Sequence, residues 1–442
     1  MNARRRDTML AEVRAAALAG VVVAALVSGC VRSSDGVQEL RFWAMGREGE
    51  VVQELVRNFE SANPDVRVDV QQIPWTAAHE KLLTAVVGRS TPDLAQIGNT
   101  WIAEFVALRT LEALDPWLAA STRVDASSYF PGIWDTNVLD GVAYGVPWYV
   151  DTRVLFYRQD LLAAAGHDTM PATWDGWLAA MQDVKRLVGP DRYAILLPVN
   201  EWPQPVILGL QAGSTLLNDE ATHGVFTHPE FRRGLAFYLD LFRRGLAPPV
   251  RHSEISNVYQ EFARGYFAIY VTGPWNLGEF RRRLPDDMQD AWATAAFPGP
   301  SGASSGVSLA GGASLAVFQS SRHKDAAWRL VEYLAQPEQQ LRFYELTGDL
   351  PARRETWQSS ALANDAQLRA FGEQVKRVRS TPKIPEWELI ATRVQERVEM
   401  AVRGAVSPDS VLVLLDADVE GILAKRRWLL ERSRSADAVV LP

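Results

Sequence analysis

Between residues 40 and 97 the apolar positions change period four times. Residues 40–45 are almost continuously apolar, which predicts a buried strand. Val51, Val52, Leu55, Val56 and Phe59 then fall on one side of a helical repeat. Asn63-Pro64 ends that helix, because a residue before proline is pushed out of the helical region. Val66, Val68 and Val70 alternate with Arg67, Asp69 and Gln71, giving a strand with one wetter face. A helix capped by Thr76 carries Leu82, Leu83, Val86 and Val87, and Pro92-Asp93 leads into a strand at 94–97. Alternation of this kind specifies an open α/β sheet, whose ligands bind beyond the carboxyl ends of its strands. The loops at 46–49 and 98–101 are therefore the first places to look for a site.

Further along, Gly145-Val146-Pro147-Trp148-Tyr149-Val150-Asp151 marks a change, and an extended run at 154–157 follows it. Residues 173–288 are mostly helical in period, with short strands at 193–197 and 266–271. Residues 297–306 are rich in Pro, Gly and Ser, the longest loop signal in the chain. They run into Leu309-Ala310-Gly311-Gly312-Ala313-Ser314 and an apolar strand ending at Phe318. A helix over 326–334 comes next. The last helices cover 386–403 and the stretch after Ser407, where Ser407 caps and Pro408 takes the first helical position. No apolar stripe continues past Arg432, so a frayed tail is expected there.

The first thirty residues read differently. Arg4, Arg5 and Arg6 precede an apolar stretch at 15–27, too short to stay in a membrane as a spanning helix, and then Val27-Ser28-Gly29-Cys30. This is the pattern of a secretion signal ending in a lipobox. Small residues suit a peptidase cleft, and the thiol of Cys30, the only cysteine, takes a diacylglycerol. The expectation is a mature chain that begins at Cys30, periplasmic or at the cell surface, held to a membrane by acyl chains. With that thiol acylated no disulfide can form, so apolar cores must supply the stability.

Hydrophobic residues make up 47% and charged residues 22% of the chain, a globular composition, and nothing after the signal is apolar enough to span a bilayer. The net charge is −7; in the signal four Arg outweigh Asp7 and Glu12, which leaves the remainder near −9. An acidic surface without basic clusters argues against nucleic acid. The 15 Trp are the unusual number. Burial explains some, and indoles also stack on the apolar C–H faces of sugar rings.

Catalytic signatures are weak. His223 and His228 stand five apart in a turn-rich stretch without a third ligand, so neither a metal nor another cofactor is expected. No nucleophile elbow, phosphate-binding loop, dinucleotide fingerprint or zinc-protease motif occurs in a supporting context. A hydrolytic carboxylate pair needs only two acids facing one cleft; Glu48, Asp151, Glu201 and Glu279 are candidates whose spacing decides nothing.

Several stretches, taken in order, are more specific. They are Phe42-Trp43-Ala44-Met45-Gly46-Arg47-Glu48, Phe59-Glu60-Ser61-Ala62-Asn63-Pro64, Thr91-Pro92-Asp93-Leu94, and Gly145 to Arg153. Thr272-Gly273-Pro274-Trp275-Asn276, Gly311-Gly312 and Leu350-Pro351-Ala352-Arg353 complete the set. Behind a lipobox, this order resembles the extracellular solute-binding proteins of family 1, the sugar-capturing components of ABC importers, and most of all their maltose/trehalose-type members. The resemblance implies an α/β, two-lobed type II periplasmic-binding-protein fold, each lobe an α/β sheet, joined by hinge crossovers. Segments would be a signal peptide at 1–29, a lipidated linker at 30–37, an N-lobe at 38–149 and 312–347, a C-lobe at 150–311 and 348–435, and a tail at 436–442.

The implied protein is a monomer without cofactor and not an enzyme. It captures an oligosaccharide, such as the disaccharides maltose or trehalose, by hinge closure and passes it to permease subunits. The rivals are a secreted carbohydrate-active hydrolase and a receptor for a polyamine or glycerol phosphate. A polyamine would want acids and aromatics boxing an ammonium, and a phosphate would want extra Arg or Lys.

Sugar hydroxyls donate to carboxylates and accept from Arg or backbone N–H, which gives the candidate residues their roles. Glu48 suits a hydroxyl, or equally a helix start. Asn99 stands where many relatives carry an acid. Trp101 and Trp202 could flank the cleft or pack in the core. Asp151 matches the family's hydroxyl-binding acid, unless it only shapes a turn, and Tyr149 stands two residues before it. Trp275, after a buried strand, would be a stacking platform. Gly311 and Gly312 would let backbone N–H groups approach a ligand, or act as a plain hinge. Arg353 matches the family's Leu-Pro-x-Arg position and could fork onto two hydroxyls.

Overall fold

The structure is a computed structural model that describes residues 36–439, without the side chains of 433–439. The signal segment and Cys30 lie outside the described residues. Two sheets organise the rest. A six-stranded sheet runs in the order Leu350–Pro351, Val146–Asp151, Gly311–Val317, Leu94–Gly98, Gln38–Met45, Val66–Ile73. Gln38–Met45 is parallel to both its neighbours, whereas Gly311–Val317 is antiparallel to both of its own. A four-stranded sheet runs Trp292–Ala295, Val154–Arg158, Phe267–Thr272, Tyr193–Leu196.

The first strand is buried where its sequence is apolar, and the helix Gly46–Ala62 covers it with Val52, Leu55, Val56 and Phe59. Each such side chain removed from water contributes about 1.5–3 kcal/mol before entropy is counted. Thr173 caps the helix Trp174–Val188 by accepting from Gly176 N–H, and Ser407 caps Pro408–Ile422 in the same way through Ser410 N–H. The helix expected to be capped by Thr76 starts two residues earlier, at Trp75 behind Pro74, so that Thr76 lies inside it. The tail is also different: the helix Ala424–Val439 continues past Arg432, although the sequence there carries no apolar stripe. Among the described residues, no helix is long and apolar enough to cross a membrane.

The chain passes between the two bodies at three places. Thr152 and Arg153 separate Val146–Asp151 in one sheet from Val154–Arg158 in the other. Ser308–Leu309 pairs with Val378–Arg379 in a small ribbon just before Gly311–Val317 begins. The third passage lies beyond the boundary at 348 read from the sequence. Leu350 and Pro351 pair with Val150 and Tyr149, Arg353 bridges Tyr129, and Trp357 packs edge-on against Phe130 at 6.0 Å. Only at Asp365, ion-paired to Arg281 at 2.5 Å, does the chain join the second body. A two-residue strand has no period to betray it in the sequence.

Candidate functional site

Between the two bodies lies a cavity of about 570 Å3, within the roughly 300–1,000 Å3 that ligand sites span. Glu48, Asn99, Trp101, Tyr149, Asp151, Trp202, Trp275, Gly311 and Gly312 all border it. They reach it from the carboxyl ends of strands and from the crossovers, where an open sheet places ligands.

Glu48 sits in the first turn of Gly46–Ala62, which leaves the strand abruptly because Gly46 adopts a φ of +49°. Its Oε1 accepts from the Tyr149 hydroxyl at 3.0 Å and from Trp75 Nε1 at 3.2 Å. Tyr149 in turn accepts from Gln96 Nε2 at 3.0 Å, and Gln96 Oε1 accepts from Met45 N–H at 2.7 Å. The carboxylate is thus fixed to the sheet by a relay of bonds, and burial, helped by Glu48, pushes the Tyr149 phenol well above its usual range. Asn99 accepts from Ser314 Oγ at 3.0 Å, while its Nδ2 has no hydrogen-bond partner among the described residues.

Four indoles border the cavity, and three of them lie against a glycine. A Cβ on Gly46 would stand 2.8 Å from Trp75 Cδ1, one on Gly98 3.2 Å from Trp101 Cδ2, and one on Gly273 1.9 Å from Trp275 Cζ3. Trp202 is held instead edge-on against the buried Trp387, with centroids 5.5 Å apart at 83°. Of the cleft indoles, Trp275 keeps 39% and Trp75 37% of its surface exposed. Seven other tryptophans, Trp148 and Trp177 among them, are buried, so the high Trp count divides between core and cleft.

Three acids face the same space. Burial pushes the Asp151 carboxyl above its usual value, against the pull of Arg153, whose Nη1 donates to Asp151 Oδ1 at 2.8 Å. Asp349 is pushed well above the carboxylate range, first by burial and then by the charge of Glu48. Among the described residues, no group of three His, Cys, Asp or Glu is placed to hold a metal ion.

Arg353 does not reach the cavity, which corrects its expected role. Its side chain is 10% exposed and spent elsewhere: it pairs with Glu355 at 2.5 Å, and Nη1 donates to the carbonyls of Arg123 and Ala335 at 2.8 and 3.3 Å. The reason given for the two glycines also changes. A Cβ on Gly311 would stand 2.5 Å from the Asp151 carbonyl and one on Gly312 2.2 Å from that of Tyr149, with Gly312 at φ +128°. Close strand packing demands glycine there, before any ligand does.

Sequence reasoning missed Trp75, Arg153 and Asp349, which also border the cavity. Trp75 follows the carboxyl end of Val66–Ile73, so the strand-end rule pointed to it. Arg153 closes the Gly145 to Arg153 stretch but was given no role. Asp349 lies next to the boundary at 348 read from the sequence and was given no role.

With this geometry in view, the likenesses of the chain are informative. The bacterial extracellular solute-binding protein family matches residues 44–341. The structure of the sugar-binding protein MalE from the phytopathogen Xanthomonas citri is 52% identical, covers 89% of this chain and 99% of its own, and superposes with a TM-score of 0.86. A binding protein of Brucella abortus is 28% identical over 93% of this chain and 98% of its own. The diacetylchitobiose binding protein DasA of Streptomyces coelicolor is 24% identical over 86% and 90%. Two α/β bodies, a cleft between them and a family match over two thirds of the sequence lead to one conclusion: the chain belongs to the bacterial extracellular solute-binding protein family, with the type II periplasmic-binding-protein fold.

Proposed function

We propose that this chain is the sugar receptor of an ABC importer, capturing a disaccharide-sized ligand without chemical change. The observation that carries the reading is the composition of one cavity: four indoles and three carboxylates around about 570 Å3. Indole faces match the C–H faces of a pyranose, while Glu48, Asp151 and Asp349 match its hydroxyl edges. In a desolvated cleft, a missing hydroxyl strands a buried partner, so such a site discriminates strongly. The similarity to a sugar-binding MalE and to a disaccharide-binding relative supports the same reading.

Capture would proceed by hinge closure about the crossovers, because a ligand touching both bodies favours the state in which they meet. The two lobes would be residues 38–151 with 311–362, and 154–309 with 365–439. Cys30 would tether the receptor to a membrane beside its permease. A thermal-shift panel of maltose, trehalose, diacetylchitobiose, a polyamine and glycerol phosphate tests the reading. A disaccharide should raise the melting temperature and be recovered intact by chromatography. Stabilisation only by the polyamine or the phosphate, or cleavage of the disaccharide, would overturn it.

A further inference from the structure

Beside the main cavity is a second chamber of about 450 Å3, lined by Asn200, Glu201, Tyr259, Tyr270, Thr272 and Asn276. Its own walls are mostly amide, hydroxyl and carboxylate, with His252 and Val258 beside them. Tyr259 donates to Asn276 Oδ1 at 2.8 Å, Asn276 Nδ2 donates to Thr272 Oγ1 at 2.6 Å, and Gln204 Nε2 donates to Glu201 Oε2 at 2.7 Å. A neutral, hydroxyl-rich unit fits such a lining; a multiply charged one does not.

Four residues border both chambers: Arg153, Trp202, Pro203 and Trp275. Trp202 is wedged on Trp387, Pro203 opens the helix Pro203–Gln211, and Trp275 lies on Gly273. Those three are set by packing. Arg153 is held by cleft residues instead: its side chain, 18% exposed, places the guanidinium 4.4 Å from the Trp275 ring centroid and makes one hydrogen-bonded ion pair, to Asp151. Both contacts end on cleft residues, so a ligand that stacks on Trp275 or bonds to Asp151 takes the place of the guanidinium there.

Building on the sugar-receptor reading, we propose that Arg153 is the movable partition of the cleft and sets the length of saccharide the protein accepts. Seated on Trp275, it confines the ligand to the first chamber. Lifted off, it joins the two chambers and exposes the indole face it covered, so that a further sugar unit can enter. Arg153 is thus a specificity-determining residue whose effect depends on ligand length.

The test compares wild type with Arg153→Ala, and with Arg153→Gln should the alanine variant fail to melt cooperatively. Calorimetry against two-, three- and four-unit α-glucans and chitooligosaccharides gives the affinity for each length. The ratio of three-unit to two-unit affinity should rise about tenfold in the variant. A ratio within twofold of wild type would overturn the proposal. A second readout needs no sugar: acrylamide quenching of the ligand-free protein, with and without Trp275→Phe, isolates the exposure of Trp275. That exposure should rise when Arg153 is replaced, and no rise would also overturn the partition. Failure of every saccharide to bind wild type would instead sink the receptor reading, and quenching would then decide the partition alone.

Discussion

The Thr100 hydroxyl donates to Glu388 Oε1 at 2.5 Å, and the two residues belong to different bodies. Thr100 stands in the turn Asn99–Trp101 at the end of a strand of the six-stranded sheet, and Glu388 in the helix Trp387–Val402. The bond therefore reports how close the bodies are, since it breaks when they part. It lies one residue from Trp101 on one side and one from Trp387, the support of Trp202, on the other.

Thr100→Val removes this donor while keeping shape. Hydrogen bonds to charged groups contribute about 1.5–3 kcal/mol, so ligand affinity should fall roughly tenfold or more. Calorimetry measures it, and the ligand-free melting temperature should stay close to wild type.

Asp349 gives a pH dependence with a definite sign. Burial raises its folded pKa above its unfolded one, so the native state holds this proton more tightly. The cost of the group to stability is absent at acid pH and grows as pH rises from its unfolded pKa toward the raised folded value. Asp349→Asn should therefore be more stable than wild type at neutral pH, by roughly 1 kcal/mol, and the gain should vanish on acidification. Urea unfolding at several pH values checks both statements, and the same variant should bind sugar more weakly.

Gly312→Ala separates two explanations for one glycine. Steric conflict with the Tyr149 carbonyl and a positive φ predict a loss of roughly 2–4 kcal/mol in unfolding free energy. Were the residue needed only for ligand approach, affinity would fall and stability would hold.

Arg353→Met should lower stability by roughly 2 kcal/mol, because the charged donor leaves behind the buried Ala335 carbonyl and the part-buried Arg123 carbonyl. Sugar affinity should be unchanged in the folded variant. Denaturant unfolding and calorimetry on the same sample distinguish this from a binding role.

Much of this architecture was legible in the chain. Period changes between residues 40 and 97 gave the opening strands and helices, since each element there buries a face wide enough to leave a pattern. Ser407 announced its helix because caps act locally. The strand Leu350–Pro351 did not show, being too short for a period and held only by pairing with Tyr149 and Val150. Arg353 was misjudged for a related reason. A motif gives the residue type at a position, but whether a guanidinium turns to the cleft or to the Arg123 and Ala335 carbonyls is settled by packing. Trp75 and Trp101 show how three-dimensional the site is. They stand 26 residues apart in sequence, yet meet edge-on at 5.8 Å in the same wall.

Trp275 is the sharpest probe of the cleft as a whole, because its ring is exposed into the cavity and its loss leaves the core intact. Titrating the best-bound disaccharide into wild type and Trp275→Ala by calorimetry should show a loss of about 2 kcal/mol or more, with the melting temperature of the free protein unchanged. Equal affinity in the two proteins would mean that the sugar does not sit between these bodies.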